Sequence, residues 1–150
     1  MIQRVQTIFL LAAAILQLLF INLPLARFVL PELNIEFKAK GFISEGEVQV
    51  ATTALLILCW SVAVLSAITI FLHKNRILQI RFCIYNMLLN IGLIGMLALY
   101  LNNFVKTNSP EAQSFLPVLA IPVVSIILLF LAFRGIRKDE LLIKAYDRLR

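Results

Sequence analysis

Four uncharged polar residues, Ser66, Asn86, Asn90 and Ser125, stand inside long apolar runs of this chain. A polar side chain in an apolar medium has to find a hydrogen-bond partner within the protein. Asn86 and Asn90 are one helical turn apart and share a face. At 1.5 Å per residue, Ser66, Asn90 and Ser125 fall roughly 9–14 Å from the like-charged ends of their runs. Thr69 lies near that level, and Gln17 is somewhat deeper. This spacing predicts that both asparagines face inwards and hydrogen-bond across helices, mainly to the second run. Such bonds hold membrane helices together at about 0.6 kcal/mol each, at most 1–2. The same cluster could instead receive a lipid head group or a small solute. Interhelical bonding is the more economical account, because uncharged Asn and Ser serve it well.

Other chemistry is sparse. The single His73 stands beside Lys74, without the further His or carboxylate partners that a metal ligand needs. Cys59 falls near the middle of its run and Cys83 near the end of the next. Their depths differ by roughly 15–20 Å, far beyond the ~7 Å Cα separation that a disulfide tolerates. They read as structural thiols, which excludes a four-helix thiol oxidoreductase. The sequence contains no phosphate-binding glycine loop, dinucleotide glycine pattern, zinc-protease helix or serine-nucleophile elbow. No catalytic residue, metal or cofactor is expected, and the chain does not read as an enzyme. The apolar runs also lack Asp, Glu, Lys and Arg, the usual carriers of ion coupling.

The elements that must position these residues follow from charge. All 14 basic and 8 acidic residues lie outside four uncharged stretches, 5–26, 48–73, 82–105 and 112–133. Each stretch is long enough to cross about 30 Å of hydrocarbon as a helix. The hydrophobic fraction is 61% and the mean hydropathy +0.94, more apolar surface than a soluble domain of this size can hide. The expected fold is an all-α integral membrane protein, one domain over residues 1–150: a bundle of four transmembrane helices followed by a basic tail, 134–150.

Arg4, Lys74, Arg76, Arg81 and six basic residues from Arg134 onward would share one side, against Arg27, Lys38, Lys40 and Lys106 on the other. This asymmetry places both termini in the cytoplasm. The net charge of +6 flanks the spans instead of forming one basic face, so anionic lipid is the expected partner and nucleic acid is not. The first run is longer than a signal-peptide core, which argues against cleavage after Ala26.

Within the runs, the first helix should loosen at Asn22-Leu23-Pro24. In the second, Cys59, Ala63, Ser66 and Ala67 offer a face for close helix approach. Asn75 is the expected N-cap of the third helix, and the short turn before it makes the second and third helices antiparallel neighbours. Ser109, Pro110 and Glu111 resemble a start signal for the fourth helix. Pro117 and Pro122 would then interrupt its hydrogen-bond ladder, as a simple kink or, less economically, as a broken helix lining a cavity. Leu33, Ile35 and Phe37 alternate with Asn34, Glu36 and Lys38, and Gly41 and Gly46 flank Phe42-Ile43. A small β-hairpin over the outer end of the bundle is expected there. The tail reads as a helix that lies on the inner leaflet, continues the fourth span or docks a partner. Lys138-Asp139-Glu140-Leu141 is no retention signal, since it does not end the chain.

Met1-Ile2-Gln3-Arg4-Val5-Gln6-Thr7, the loop Lys74-Asn75-Arg76 with Gln79 and Arg81, and the tail Arg134, Ile136-Arg137-Lys138-Asp139-Glu140, Asp147-Arg148 and Arg150 together resemble a bacterial four-span inner-membrane family catalogued only as a domain of unknown function. The resemblance spans the chain and is most specific in the tail. It implies an inner-membrane location and four helices, and it supplies no activity. Two functional classes are therefore expected. The first is a non-enzymatic scaffold or accessory subunit that binds a protein partner or anionic lipid through a cytoplasmic surface of Arg4, Lys74, Arg76, Arg81, Arg134, Arg137, Lys138, Lys144 and Arg148. The second is a small oligomeric transporter or channel with a polar site near Asn86 and Asn90.

Overall fold

The computed structural model describes residues 2–30, 33–44, 47–72 and 75–148, with side chains described from Gln6 to Leu142 within those segments. His73, Lys74 and Gly46, and the side chains of Arg4, Lys144 and Arg148, lie outside the described residues.

Four helices, α1 (Ile2–Asn22), α2 (Thr53–Phe71), α3 (Arg76–Asn108) and α4 (Ile121–Arg148), carry a five-stranded sheet at one end. The strands are β1 (Ala26–Val29), β2 (Asn34–Lys38), β3 (Gly41–Ser44), β4 (Glu47–Ala51) and β5 (Ala112–Phe115). The sheet is antiparallel throughout, in the order β4-β3-β2-β1-β5. In the bundle, α1 packs on α2 and α4, and α3 packs on the same two helices.

The inward residues recur at spacings of three and four, the heptad rhythm of supercoiled helices. On α3 they are Gln79, Cys83, Asn86, Asn90, Leu93 and Leu97. On α4 they are Ser125, Leu129, Ala132, Ile136 and Asp139. The outward faces carry Ile57, Phe71, Leu88 and Leu99, all large, apolar and exposed, as lipid-facing surfaces should be.

Among the described residues, three helical segments are long and apolar enough to cross a membrane: Thr53–Phe71, Arg76–Asn108 and Pro117–Leu142. The apolar part of α1 with described side chains, Gln6–Asn22, spans about 26 Å against roughly 30 Å of hydrocarbon. The expected all-α fold with four spans and a small hairpin is thus overturned. The anticipated hairpin exists as β2–β3, but it is the centre of a larger sheet.

Absence of charge does not by itself specify helix. Val48 to Ala51 is uncharged and belongs to β4. Ala26 belongs to β1, because α1 stops at Asn22 before Pro24, where loosening was expected. Ala112 to Phe115, expected at the start of the fourth helix, is β5. Ser109 ends α3 in the left-handed conformation (φ 42°) and donates its N–H to the Val105 carbonyl. The Glu111 N–H reaches the Val29 carbonyl at 3.0 Å, which leads the chain into the sheet.

Pro117 then opens a short 3-10 turn (Pro117–Ala120) and Pro122 falls in the first turn of α4. Neither N–H would have had an intrahelical partner there, so the prolines begin the helix and do not kink its middle. Asn75 does precede α3 as its N-cap residue, though without a side-chain capping bond. The tail is resolved as a direct continuation of α4.

One face of the sheet is apolar. Ala26, Phe28, Ile35, Phe37 and Phe42 are buried with Phe20, Leu25, Leu93, Leu97 and Phe104 in a core shared between sheet and bundle. α3 is about 50 Å long at 1.5 Å per residue, and its C-terminal turns, with Phe104, pack against this sheet. The opposite face is polar: Arg27 and Lys38 pair with Glu36 at 3.2 and 3.5 Å.

Candidate functional site: two polar tiers in the bundle

Two apolar clusters fill the molecule. One joins the sheet to the near half of the bundle, and the other, built on Leu10, Ala13, Cys83, Leu129, Ala132 and Ile136, fills the far half. Between them every helix contributes a buried polar residue. Gln17 of α1 separates Ala13 from Phe20, and Ser66 of α2 separates Cys59 from Ile70. Asn86 and Asn90 of α3 separate Cys83 from Leu93, and Ser125 of α4 separates Ile121 from Leu129.

The heptad register puts these side chains on the seam, and the bilayer offers them nothing to bond with. The Asn86 Nδ2 donates to the Ser66 Oγ at 2.6 Å, joining α3 to α2. The Asn90 Nδ2 turns back to the Asn86 carbonyl at 2.9 Å and to the Asn86 Oδ1 at 3.3 Å. The structure brings Ser66, Asn86 and Asn90 into one bonded chain. Ser125 is buried in the same tier, but its Oγ has no partner among the described residues. The same is true of the Asn90 Oδ1 and of both ends of the Gln17 amide.

A second tier closes the far end of the bundle, here with one residue per helix: Gln6, Thr69, Gln79 and Asp139, all buried. The Gln6 Nε2 donates to the Asp139 Oδ2 at 2.8 Å across α1 and α4. The Gln79 Nε2 donates to the Thr69 carbonyl at 3.2 Å across α3 and α2. Sequence reading missed Gln6, Gln79 and Asp139 as interior residues and noted Gln17 and Thr69 only for depth. The available signal was the three-and-four spacing, which carries the seam of α4 from Ser125 through Ile136 to Asp139, inside a segment that looks like a charged tail.

Of the expected cationic surface, Arg81, Arg134, Arg137 and Lys138 are exposed and Arg76 is half-buried, all at the end of the bundle away from the sheet. Cys59 and Cys83 are free and buried, one in each apolar cluster. Among the described residues no group of His, Cys, Asp and Glu could hold a metal ion. At the sheet end an open groove of about 280 Å³ lies between Phe42 and Val50 of the sheet and Tyr100, Asn103 and Thr107 of α3.

The model of one family, described as a domain of unknown function (DUF4293), matches residues 2–149, and the chain belongs to that family. No curated protein and no solved structure matches it.

Proposed function

We propose that this member of the family is a non-enzymatic accessory subunit of a bacterial cytoplasmic membrane. Its basic end faces the cytoplasm and binds anionic lipid or a protein partner, and its sheet lies on the outer side. The observation that carries this reading is the unbroken run of α4 from its apolar segment into the cationic turns that follow. Arg134, Arg137 and Lys138 are exposed on those turns while Ile136 and Asp139 stay buried. The packed side thus holds the helix against the bundle and leaves the basic side outward. Because Gln6 meets Asp139, the start of α1 and the end of α4 share that end, so one orientation puts both termini in the cytoplasm. The excess of Lys and Arg favours that orientation.

The test compares the intact chain with a variant carrying Arg134→Gln, Arg137→Gln and Lys138→Gln, which removes the exposed cations and spares the buried Asp139. Detergent-solubilised pull-down and binding to vesicles with and without anionic lipid are measured for both. The expected result is loss of partner recovery or of the anionic-lipid preference in the variant. Undiminished recovery and unchanged lipid preference together refute the reading.

A second reading, a small transporter or channel, draws support from the unpartnered polar atoms of the middle tier. Solute uptake into vesicles that is abolished by Asn86→Leu would favour it over the first.

A further inference from the structure

We propose that the middle tier is a binding site for an enclosed, uncharged ligand with the size and hydrogen-bonding capacity of water, held by Gln17, Asn90 and Ser125. This inference does not rest on the accessory-subunit reading, and it uses the same unpartnered atoms that favour the second. The three side chains are fully buried, and four of their polar atoms lack a protein partner among the described residues: the Gln17 Oε1 and Nε2, the Asn90 Oδ1 and the Ser125 Oγ. Buried polar groups in native proteins are almost always satisfied, by protein or by ordered water, and here no lipid or bulk solvent reaches them.

The three residues lie in one tier between the two apolar clusters. Gln6 meets both Asp139, through its hydrogen bond, and Gly135, whose open Cα lets the Gln6 side chain approach. These contacts fix an antiparallel register between α1 and α4. Counting eleven residues inward along both helices brings Gln17 opposite the turn from Val124 to Leu128, where Ser125 lies. α4 packs on α1 on one side and on α3 on the other, so Ser125 stands between Gln17 and the helix that carries Asn90. The bond from Asn90 Nδ2 to Asn86 leaves its Oδ1 as the free end.

The chemistry of the four atoms defines the ligand. Gln17 Oε1 and Asn90 Oδ1 accept, Gln17 Nε2 donates, and the Ser125 hydroxyl completes the set as a second donor. A molecule that gives two hydrogen bonds and receives two satisfies all four, which is the capacity of one water with the usual two to four polar partners. Among the described residues no charged side chain lies in the tier, so an ion would have no counter-charge there. The apolar clusters on either side close the site.

The test is nuclear magnetic resonance on the whole 17.0 kDa chain in lipid nanodiscs, with nitrogen-15 in the side-chain amides. The Gln17 Nε2 protons are expected to give cross-peaks at the water frequency. Ser125→Val removes the hydroxyl and fills its space, and those cross-peaks should be lost while the backbone spectrum stays dispersed. Cross-peaks to a co-purified uncharged solute, and not to water, would support the same site with a different occupant. Gln17 cross-peaks only to Asn90 or Ser125 in the intact chain would overturn the proposal, because the amides would then satisfy one another directly. Water peaks that persist unchanged in a folded Ser125→Val variant would overturn it as well.

Discussion

The Phe42 ring of β3 stacks on the Phe104 ring of α3, with 4.0 Å between centroids and 7° between planes. Phe28 of β1 meets the same Phe104 ring at 4.8 Å, so one side chain from the helix couples two strands to the bundle. Phe104→Ala should destabilise the chain by about 3–5 kcal/mol, the usual cost of emptying a buried aromatic site. Hydrogen exchange should show the amides of β1 to β3 opening, with the middle of α3 still protected. Uniform opening of sheet and bundle together would contradict this coupling.

Asp139 accepts from Gln6 inside the far tier. Asp139→Ala leaves the Gln6 amide buried without its acceptor and should cost about 1–3 kcal/mol. Asp139→Asn keeps an oxygen in place and should retain most of that stability. Unfolding in nanodiscs followed by steric trapping would separate the two. Equal losses would mean that the carboxylate charge matters more than the hydrogen bond.

The bond between Asn86 and Ser66 is the direct cross-link of α2 and α3 within the middle tier. A double-mutant cycle with Asn86→Leu and Ser66→Ala should return a coupling energy of about 0.6–1.7 kcal/mol. Additive single and double substitutions would remove the bond from the account.

Gly41 opens β3 at a φ of 151°, and a Cβ placed there would overlap the Val50 carbonyl oxygen of β4. Gly41→Ala should therefore cost about 1–3 kcal/mol, the usual range for a strained backbone position. The amides of β4 should lose protection first. Unchanged protection would show that the strand can shift without penalty.

Gly92 and Gly95 lie on the exposed side of α3, and a methyl group added at either meets nothing within 4 Å. Gly92→Ala and Gly95→Ala should be neutral or stabilising, by up to about 1 kcal/mol each from helix propensity. Destabilisation of more than that in a bilayer would reveal that another surface packs on this face.

Much of the bundle was legible because charge is excluded from hydrocarbon. That argument is one-sided: it says where a membrane is permitted and not which backbone fills the space. Glu47-Val48-Gln49-Val50 carries a period of two that marks β4, yet from Val48 onward it also belongs to the uncharged run 48–73. Ala112-Gln113-Ser114-Phe115 carries no strand signal at all; it becomes β5 because β1 offers it an edge, which is a tertiary fact. The inward direction of Asn86 and Asn90 followed from helical spacing and the cost of an unpaired amide. Asp139 was hidden by its neighbours Arg137, Lys138 and Glu140, whose charges suggested a solvated tail.

The pairing of β1 with β5 also sets an order of events during synthesis. β1 leaves the ribosome directly after the first helix, and its partner strand follows only once α2 and α3 have been made. Until then the edge of β1 that β5 will occupy is open to other strands. Contacts of such long sequence separation form slowly, and unpaired edges are where growing chains go astray. The last strand of this sheet is thus a late-closing latch, which can shut only after α2 and α3 have been synthesised.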